Sequence, residues 1–199
     1  MVAKSTKQSN PTHDHHEDAA EKLLLASIAS GDRAAFDRLY RNYYPRLRDF
    51  IGRLMPQKHE AVDEVLNDTM YVVWSKSDTF RHQSRLSTWI FGIAYRKAMK
   101  HFEKENRSRL EQMPEDWVPA IDDASDIAFT AQLNDTLAKA LDKLSPRQRS
   151  VVELTFEYGY SYAEIAEIMG CPENTVKTRM FHARDRLRKA LDILARWEK

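Results

Sequence analysis

One cysteine, Cys171, stands in a chain of 199 residues that also has only five glycines and seven prolines. A lone thiol excludes an internal disulfide framework and any all-cysteine zinc site within the chain. So little glycine and proline, with no stretch of alternating polar and apolar residues, argues against a hairpin-rich β fold and predicts an all-α protein. No run of about 18 apolar residues is present, and the N-terminus MVAKSTKQSNPTHDHHED lacks the apolar core of a signal peptide. The chain is therefore expected to stay in the cytosol, off any membrane. Catalytic signatures are missing too. There is no Walker-type loop, no HExxH and no glycine-rich phosphate cradle, so neither enzymatic activity nor a cofactor is expected. Cys171 falls in a turn that suits a small residue, and no thiol chemistry is read from it.

What is present is enough for one ordinary domain or two small ones. Apolar residues make up 42% and charged residues 31%, too charged for a membrane protein and too apolar for a disordered one. The net charge of +1 hides a segregation. Arg81 to Arg109 carries +6, Pro172 to Ala190 carries +4, and Arg107 to Ala128 between them carries −4. Two basic blocks flank an acidic one.

Residues 1–17 read as a flexible polar tail. His13, His15 and His16 lie in it without a scaffold to impose ligand geometry, so no metal site is expected. A first helix begins near Asp18, with Leu24, Leu25 and Ile28 on one face and Gly31 ending it. Asp32 can cap the next helix, where Ala35, Phe36, Leu39, Tyr40 and Tyr43 follow the 3.6 period. Pro45 is expected to kink or restart that helix before Leu47, Phe50, Ile51 and Leu54 continue the stripe. A third helix, about Glu60 to Ser75, turns Val62, Leu66, Thr69 and Val73 inward and Asp63, Glu64, Asn67 and Asp68 outward. After a polar loop, a helix from near Ser84 or Ser87 holds Trp89, Ile90, Ile93 and Ala94 and projects Arg96, Lys97 and Lys100.

Pro114, Pro119 and scattered acids break every period between Ser108 and Asp126, which reads as a linker. Extended, the 22 residues from Arg107 to Ala128 span roughly 70–80 Å, about two turns of duplex DNA. The C-terminal part starts with a helix bearing Leu133, Leu137, Leu141 and Leu144. Ser145-Pro146 then supplies a capping hydroxyl and a first-turn proline. Gly159 closes that helix, Ser161-Tyr-Ala-Glu164 is a capping box, and Gly170 ends the short helix it begins. Pro172-Glu-Asn-Thr opens a final helix running to about Arg196.

Tyr162 to Phe181, YAEIAEIMGCPENTVKTRMF, has the features of a helix-turn-helix. Ala166 is small where two helices must touch, and Gly170 tolerates positive φ in the turn. Val176, Met180, Ala183 and Leu187 recur at helical spacing to plug the angle. Lys177, Thr178, Phe181, His182 and Arg184 are left outward, a donor-rich face with an aromatic able to meet a thymine methyl. The plain alternative is an amphipathic hairpin with a solvated basic face.

Ser145-Pro-Arg-Gln-Arg149, Ser161-Tyr-Ala-Glu-Ile-Ala and Thr175-Val-Lys-Thr-Arg-Met-Phe-His-Ala-Arg184 resemble region 4 of the extracytoplasmic-function sigma factors of bacterial RNA polymerase. Ala35-Phe36 with Leu39-Tyr40, Asp63-Glu-Val-Leu-Asn-Asp68 and Ser87-Thr-Trp-Ile-Phe-Gly-Ile-Ala94 resemble region 2 of the same proteins. The likeness covers about residues 20–105 and 129–195 in the family's order. It implies a tail (1–17), a region 2 domain (18–106), a linker (107–128) and a region 4 domain (129–199).

The resemblance also implies roles. Asp63, Glu64, Asn67 and Asp68 would dock on a coiled coil of core RNA polymerase, where an acidic face suits a basic partner. The family usually has Gln-Glu where Asn67-Asp68 stands, so reach is shorter by one methylene at each. The loop Arg81 to Ser87 would read the melted −10 element of promoter DNA, with His82, Gln83 and Ser84 on base edges and Arg96, Lys97 and Lys100 on phosphates. Trp89 is assigned to packing over base stacking. Arg96 replaces a frequent Asn. Lys177, Thr178, Phe181 and His182 would reach base edges of the −35 element, with Arg179 and Arg184 on phosphate or on partners inside the module. Many relatives have Arg where His182 stands. The acidic linker could lie in the polymerase's RNA path or be a plain tether. Relatives are commonly held by an anti-sigma factor. The competing readings are a stand-alone helix-turn-helix regulator, which would carry a sensor in its N-terminal half, and a helical adaptor that binds only protein.

Overall fold

The computed structural model describes residues 11–55, 59–105 and 140–197, with side chains over 20–55, 60–104 and 140–191. Apart from one short 3₁₀ turn, Ser77–Thr79, every element among them is an α-helix. The helices are α1 (Pro11–Ala29), α2 (Arg33–Leu54), α3 (His59–Ser75), α4 (Leu86–Glu105), α5 (Pro146–Phe156), α6 (Tyr162–Met169) and α7 (Glu173–Trp197). The acidic linker, Leu133 and Leu137 lie outside the described residues.

Boundaries follow local chemistry. Gly31 ends α1 at φ +90°, and Asp32 caps α2, its Oδ1 accepting from the Ala34 N–H at 2.8 Å and the Ala35 N–H at 3.1 Å. Two expectations are corrected. Helix α1 starts at Pro11, inside the stretch read as tail, with proline at the first helical position where its missing N–H costs nothing. Helix α2 runs through Pro45 without a restart. Pro45 is exposed, so its ring and the carbonyl it leaves unpaired face water, while Tyr43 and Leu47 on either side are buried and hold the stripe together.

In the C-terminal half, Ser145 caps α5 in a capping box closed by Gln148, and Ser161 caps α6 in one closed by Glu164. Gly170 sits at φ +63° and ends α6 in the left-handed conformation that the helix-turn-helix requires. Val176, Met180 and Ala183 of α7 are buried and fill the angle between α6 and α7.

The two halves pack against each other, although the linker reading expected them to be strung apart. Helix α4 contacts α6 as extensively as it contacts α3. Ile90 through Tyr95 are all buried, so α4 is covered on every side over that stretch. Tyr158, just after α5, packs its ring 5.0 Å from Phe91 and 5.9 Å from Phe50, and its hydroxyl donates to the Arg46 carbonyl at 3.1 Å. Tyr160 adds a second edge contact to Phe91 at 5.5 Å, and the Arg46 guanidinium lies 5.5 Å from the Phe91 ring. Such aromatic pairs add about 0.5–1.5 kcal/mol each beyond their buried area. Burial pushes the Tyr158 hydroxyl pKa up, opposed by Arg53. Ion pairs rim this contact: Arg85–Glu164 at 3.5 Å, Arg147–Glu103 at 3.6 Å and Arg53–Glu157 at 3.7 Å.

Gly92 lies at this approach. A Cβ built there would stand in ordinary contact with the Ile168 Cα and carbonyl oxygen at 3.6 Å, and closer, at 3.2 Å, to Nη1 of the flexible Arg96 side chain. The apolar residues of both halves therefore form one contiguous cluster, while His82 and Lys177 remain exposed.

Replacing Ser161 with Ala should lower the unfolding free energy by about 1 kcal/mol in a urea titration, with the m-value unchanged, because the hydroxyl's two bonds to Glu164, from the backbone N–H and to the carboxylate, are lost and no core contact is.

Candidate nucleic-acid interface

Three polar faces are built on this scaffold. The first is the outer side of α3. Val62, Leu66, Thr69 and Val73 are buried, as their spacing requires, and this fixes Asp63, Glu64, Asn67 and Asp68 outward. Three of the four already have partners within the molecule. Asp63 pairs with Arg48 of α2 at 3.5 Å, Asn67 accepts from the Tyr40 hydroxyl at 3.4 Å, and Asp68 holds the Lys97 ammonium of α4 at 2.8 Å. Tyr71 lies on the same face and is 69% exposed. The sequence reading missed it, although it stands three and four residues beyond Asp68 and Asn67, the spacing of helix-surface neighbours.

The second face is the loop before α4 and the helix itself. His82 and Gln83 are exposed and Ser84 is half-buried. His82 takes a left-handed φ of +54°, uncommon for a residue with a side chain. Its ring meets the edge of Phe80 at 4.7 Å, and Phe80 in turn packs on Trp89 at 5.1 Å. Trp89 is half-buried in that stack. Arg96 and Lys100 are exposed and Lys97 is half-buried, its ammonium on Asp68. Burial lowers the Arg96 pKa, but an arginine stays charged at any relevant pH.

The third face is the start of α7. Lys177, Thr178, Phe181, His182 and Arg184 are exposed, and Phe181 is 69% so. Lys177 pairs with Glu173 at 2.8 Å one turn back, and Thr178 donates to the Asn174 carbonyl at 2.9 Å. The Phe181 and His182 rings meet edge-on at 5.5 Å. Arg179 turns the other way, half-buried, with Nη1 3.5 Å from the Cys171 sulfur. Between α7 and the N-terminus of α5 runs a groove of about 380 Å³, lined among others by Ser145, Arg147, Gln148, Arg179 and His182. The sequence reading put only the α7 residues at this place; the partnership with Arg147 depends on how α5 and α7 cross.

Family models match both halves: Sigma-70 region 2 over residues 39–108 and Sigma-70, region 4 over residues 134–187. The chain is 32% identical over 181 residues to the ECF RNA polymerase sigma factor SigM of Mycobacterium tuberculosis, an alignment that takes in 90% of this chain and 88% of SigM. The chain belongs to the extracytoplasmic-function sigma factors. It is also 31% identical over 171 residues to the ECF RNA polymerase sigma factor RpoE of Cereibacter sphaeroides, covering 84% of this chain and 92% of that one. Among solved structures it resembles CnrH in complex with the cytosolic domain of CnrY, with a TM-score of 0.63 and 27% identity over 87% of this chain and 98% of that one. It resembles as well the sigma factor RpoE bound to the anti-sigma factor NepR from Bartonella quintana, with a TM-score of 0.60 and 31% identity over 79% of this chain and 97% of that one.

The all-α reading and the assignment to this family thus stand, and the protein is an alternative sigma factor, a transcription initiation factor whose two halves are the region 2 and region 4 helical units. No helix among the described residues is long and apolar enough to cross a membrane.

Because the side chains of Phe181 and Tyr71 are mostly exposed, Phe181→Ala and Tyr71→Ala in this sigma factor should each leave the unfolding free energy within about 0.5 kcal/mol of the parent. Any loss of binding in these variants then reports a lost contact and not a damaged fold.

Proposed function

We propose that this sigma factor, acting in the cytoplasm, docks on core RNA polymerase through the outer face of α3 and reads a promoter at two places. The proposed domains are the 18–106 unit of the sequence reading, with α1 extending it back to Pro11, and 129–199, with 107–128 as the tether. Asp63, Glu64, Asn67 and Asp68 meet a basic surface of the polymerase. His82, Gln83 and Ser84 take base edges of a melted −10 strand whose phosphates lie on Arg96, Lys97 and Lys100. Lys177, Thr178, Phe181 and His182 enter the major groove of the −35 element, with Arg184 on its phosphates and Arg179 bracing the turn. The observation that carries this reading is that one fold exposes an acidic docking face and two separate basic, aromatic-bearing faces. A stand-alone regulator has no use for the first two. CnrH and the Bartonella RpoE are each captured with a second protein, and by that likeness an anti-sigma factor is the proposed keeper of this one.

The packed arrangement has a consequence for this reading. A compact chain of 199 residues has a radius of gyration of about 16 Å, whereas two promoter elements two turns apart are about 70 Å from each other. The α4–α6 contact must therefore part before both elements are held together, and the tether is long enough to allow it.

Mixed with sigma-free core polymerase, the chain should co-elute on gel filtration and support promoter-dependent transcription. Replacing Lys177 and Phe181 together by Ala should abolish transcription and leave core binding intact; replacing Asp63, Glu64 and Asp68 by Ala should do the reverse to core and −35 duplex binding. Duplex binding with no affinity for core would identify a regulator instead. In a Cys171→Ser background, dyes at Ser30 and Glu167 should transfer energy efficiently in the free protein and lose most of that transfer in the promoter complex. Transfer that stays high on an active promoter complex would rule out the opening.

A further inference from the structure

Asp68 and Lys97 belong to different faces, yet they hold each other. The Lys97 ammonium donates to Asp68 Oδ2 at 2.8 Å, bridging α4 and α3, with the Lys97 side chain 35% and the Asp68 side chain 57% exposed. Both ends of the pair are thus within reach of solvent and of incoming groups. A carboxylate engaged by its own lysine is a weaker acceptor for a partner's cation. A lysine resting on a carboxylate is a weaker clamp for a phosphate, both because it is occupied and because the phosphate would be brought up to an anion.

We propose that this ion pair couples polymerase docking to capture of single-stranded DNA, with Lys97 withheld on Asp68 until a basic partner claims that carboxylate. This rests on the docking and strand-reading roles assigned above and adds to them an order of events. A cation brought to Asp68 replaces Lys97 and repels it, and the freed ammonium moves to the strand that passes along α4. Linkage makes the effect reciprocal: whatever factor docking adds to strand affinity, the strand adds to docking. Arg48–Asp63 and Tyr40–Asn67 also occupy the docking face, but Arg48 and Tyr40 belong to α2, so displacing either frees no α4 cation. A half-exposed pair of this kind corresponds to a change of about two- to fivefold in each affinity at low ionic strength.

The full chain, sigma-free core polymerase and an oligothymidylate of unconstrained sequence suffice to test it. Asp68→Asn should bind oligothymidylate, without core, about two- to fivefold more tightly than the parent, since the phosphate contact is independent of sequence. Lys97→Gln should bind core about two- to fivefold more tightly than the parent, although it removes a charge from the opposite side of the pair. Lys104→Gln, with the same charge change two turns further along α4, should bind core as the parent does. If Lys97→Gln and Lys104→Gln bind core alike, or if Asp68→Asn leaves oligothymidylate affinity unchanged, the coupling is refuted. Failure of the docking role itself looks different: Glu64→Ala and Asp68→Ala would then both bind core with parental affinity.

Discussion

Helix α4 is the wall on which everything else leans. Six consecutive residues, Ile90 to Tyr95, are buried, so the helix has no free side there and must be enclosed by elements from both ends of the chain. Helices α2 and α3 cover part of it and α6 the rest, with Phe91 and Tyr158 making the central contact. Burial also raises the Tyr95 hydroxyl pKa to about 12, eased by Arg179 and Arg147 of the C-terminal half. A single helix thus braces the acidic face of α3, carries Arg96, Lys97 and Lys100 beyond its enclosed stretch, and seats the helix-turn-helix.

The contact between halves is of a kind that can be undone. Its centre is aromatic and desolvated, but its rim is made of long-armed, partly exposed pairs, Arg85–Glu164, Arg147–Glu103 and Arg53–Glu157, each 3.5 to 3.7 Å apart. Exposed pairs of this sort contribute little apiece and are screened by salt. Of the residues read as DNA contacts, His82, Gln83, Lys177 and Phe181 face outward, whereas Arg179 is half-buried beside Tyr95 and Arg96 is partly desolvated. The packed molecule therefore restricts how far apart the proposed recognition faces can be, and leaves those four residues open.

Much of this was legible beforehand because the signals were local. The caps at Asp32, Ser145 and Ser161, the turn at Gly170, and the buried positions of α3 and α7 follow from hydrogen bonding and periodicity within one or two turns, and each sits where its spacing put it. What stayed hidden depended on distance. Assigning Ile90, Ile93 and Ala94 to one inward face left Phe91, Gly92 and Tyr95 without a purpose; a helix that is apolar all round needs cover all round, and the covering helix is some seventy residues further along the chain. Pro45 was over-read for the same reason, since whether a proline breaks a helix depends on what grips its neighbours. The likeness to the family supplied the roles, but neither it nor periodicity could show that Lys97 lies against Asp68.

Gly92 carries a consequence of its own. A glycine inside a helix weakens it by about 1 kcal/mol relative to alanine, and Gly92 is covered by the Ile168 backbone, 3.6 Å from where its Cβ would stand. Were α6 lifted away as proposed, water would reach the backbone amides beside Gly92. The weakest helix former of α4 would then stand bare one turn before Arg96 and Lys97, in the segment assigned to the melted strand, and would lend it suppleness there.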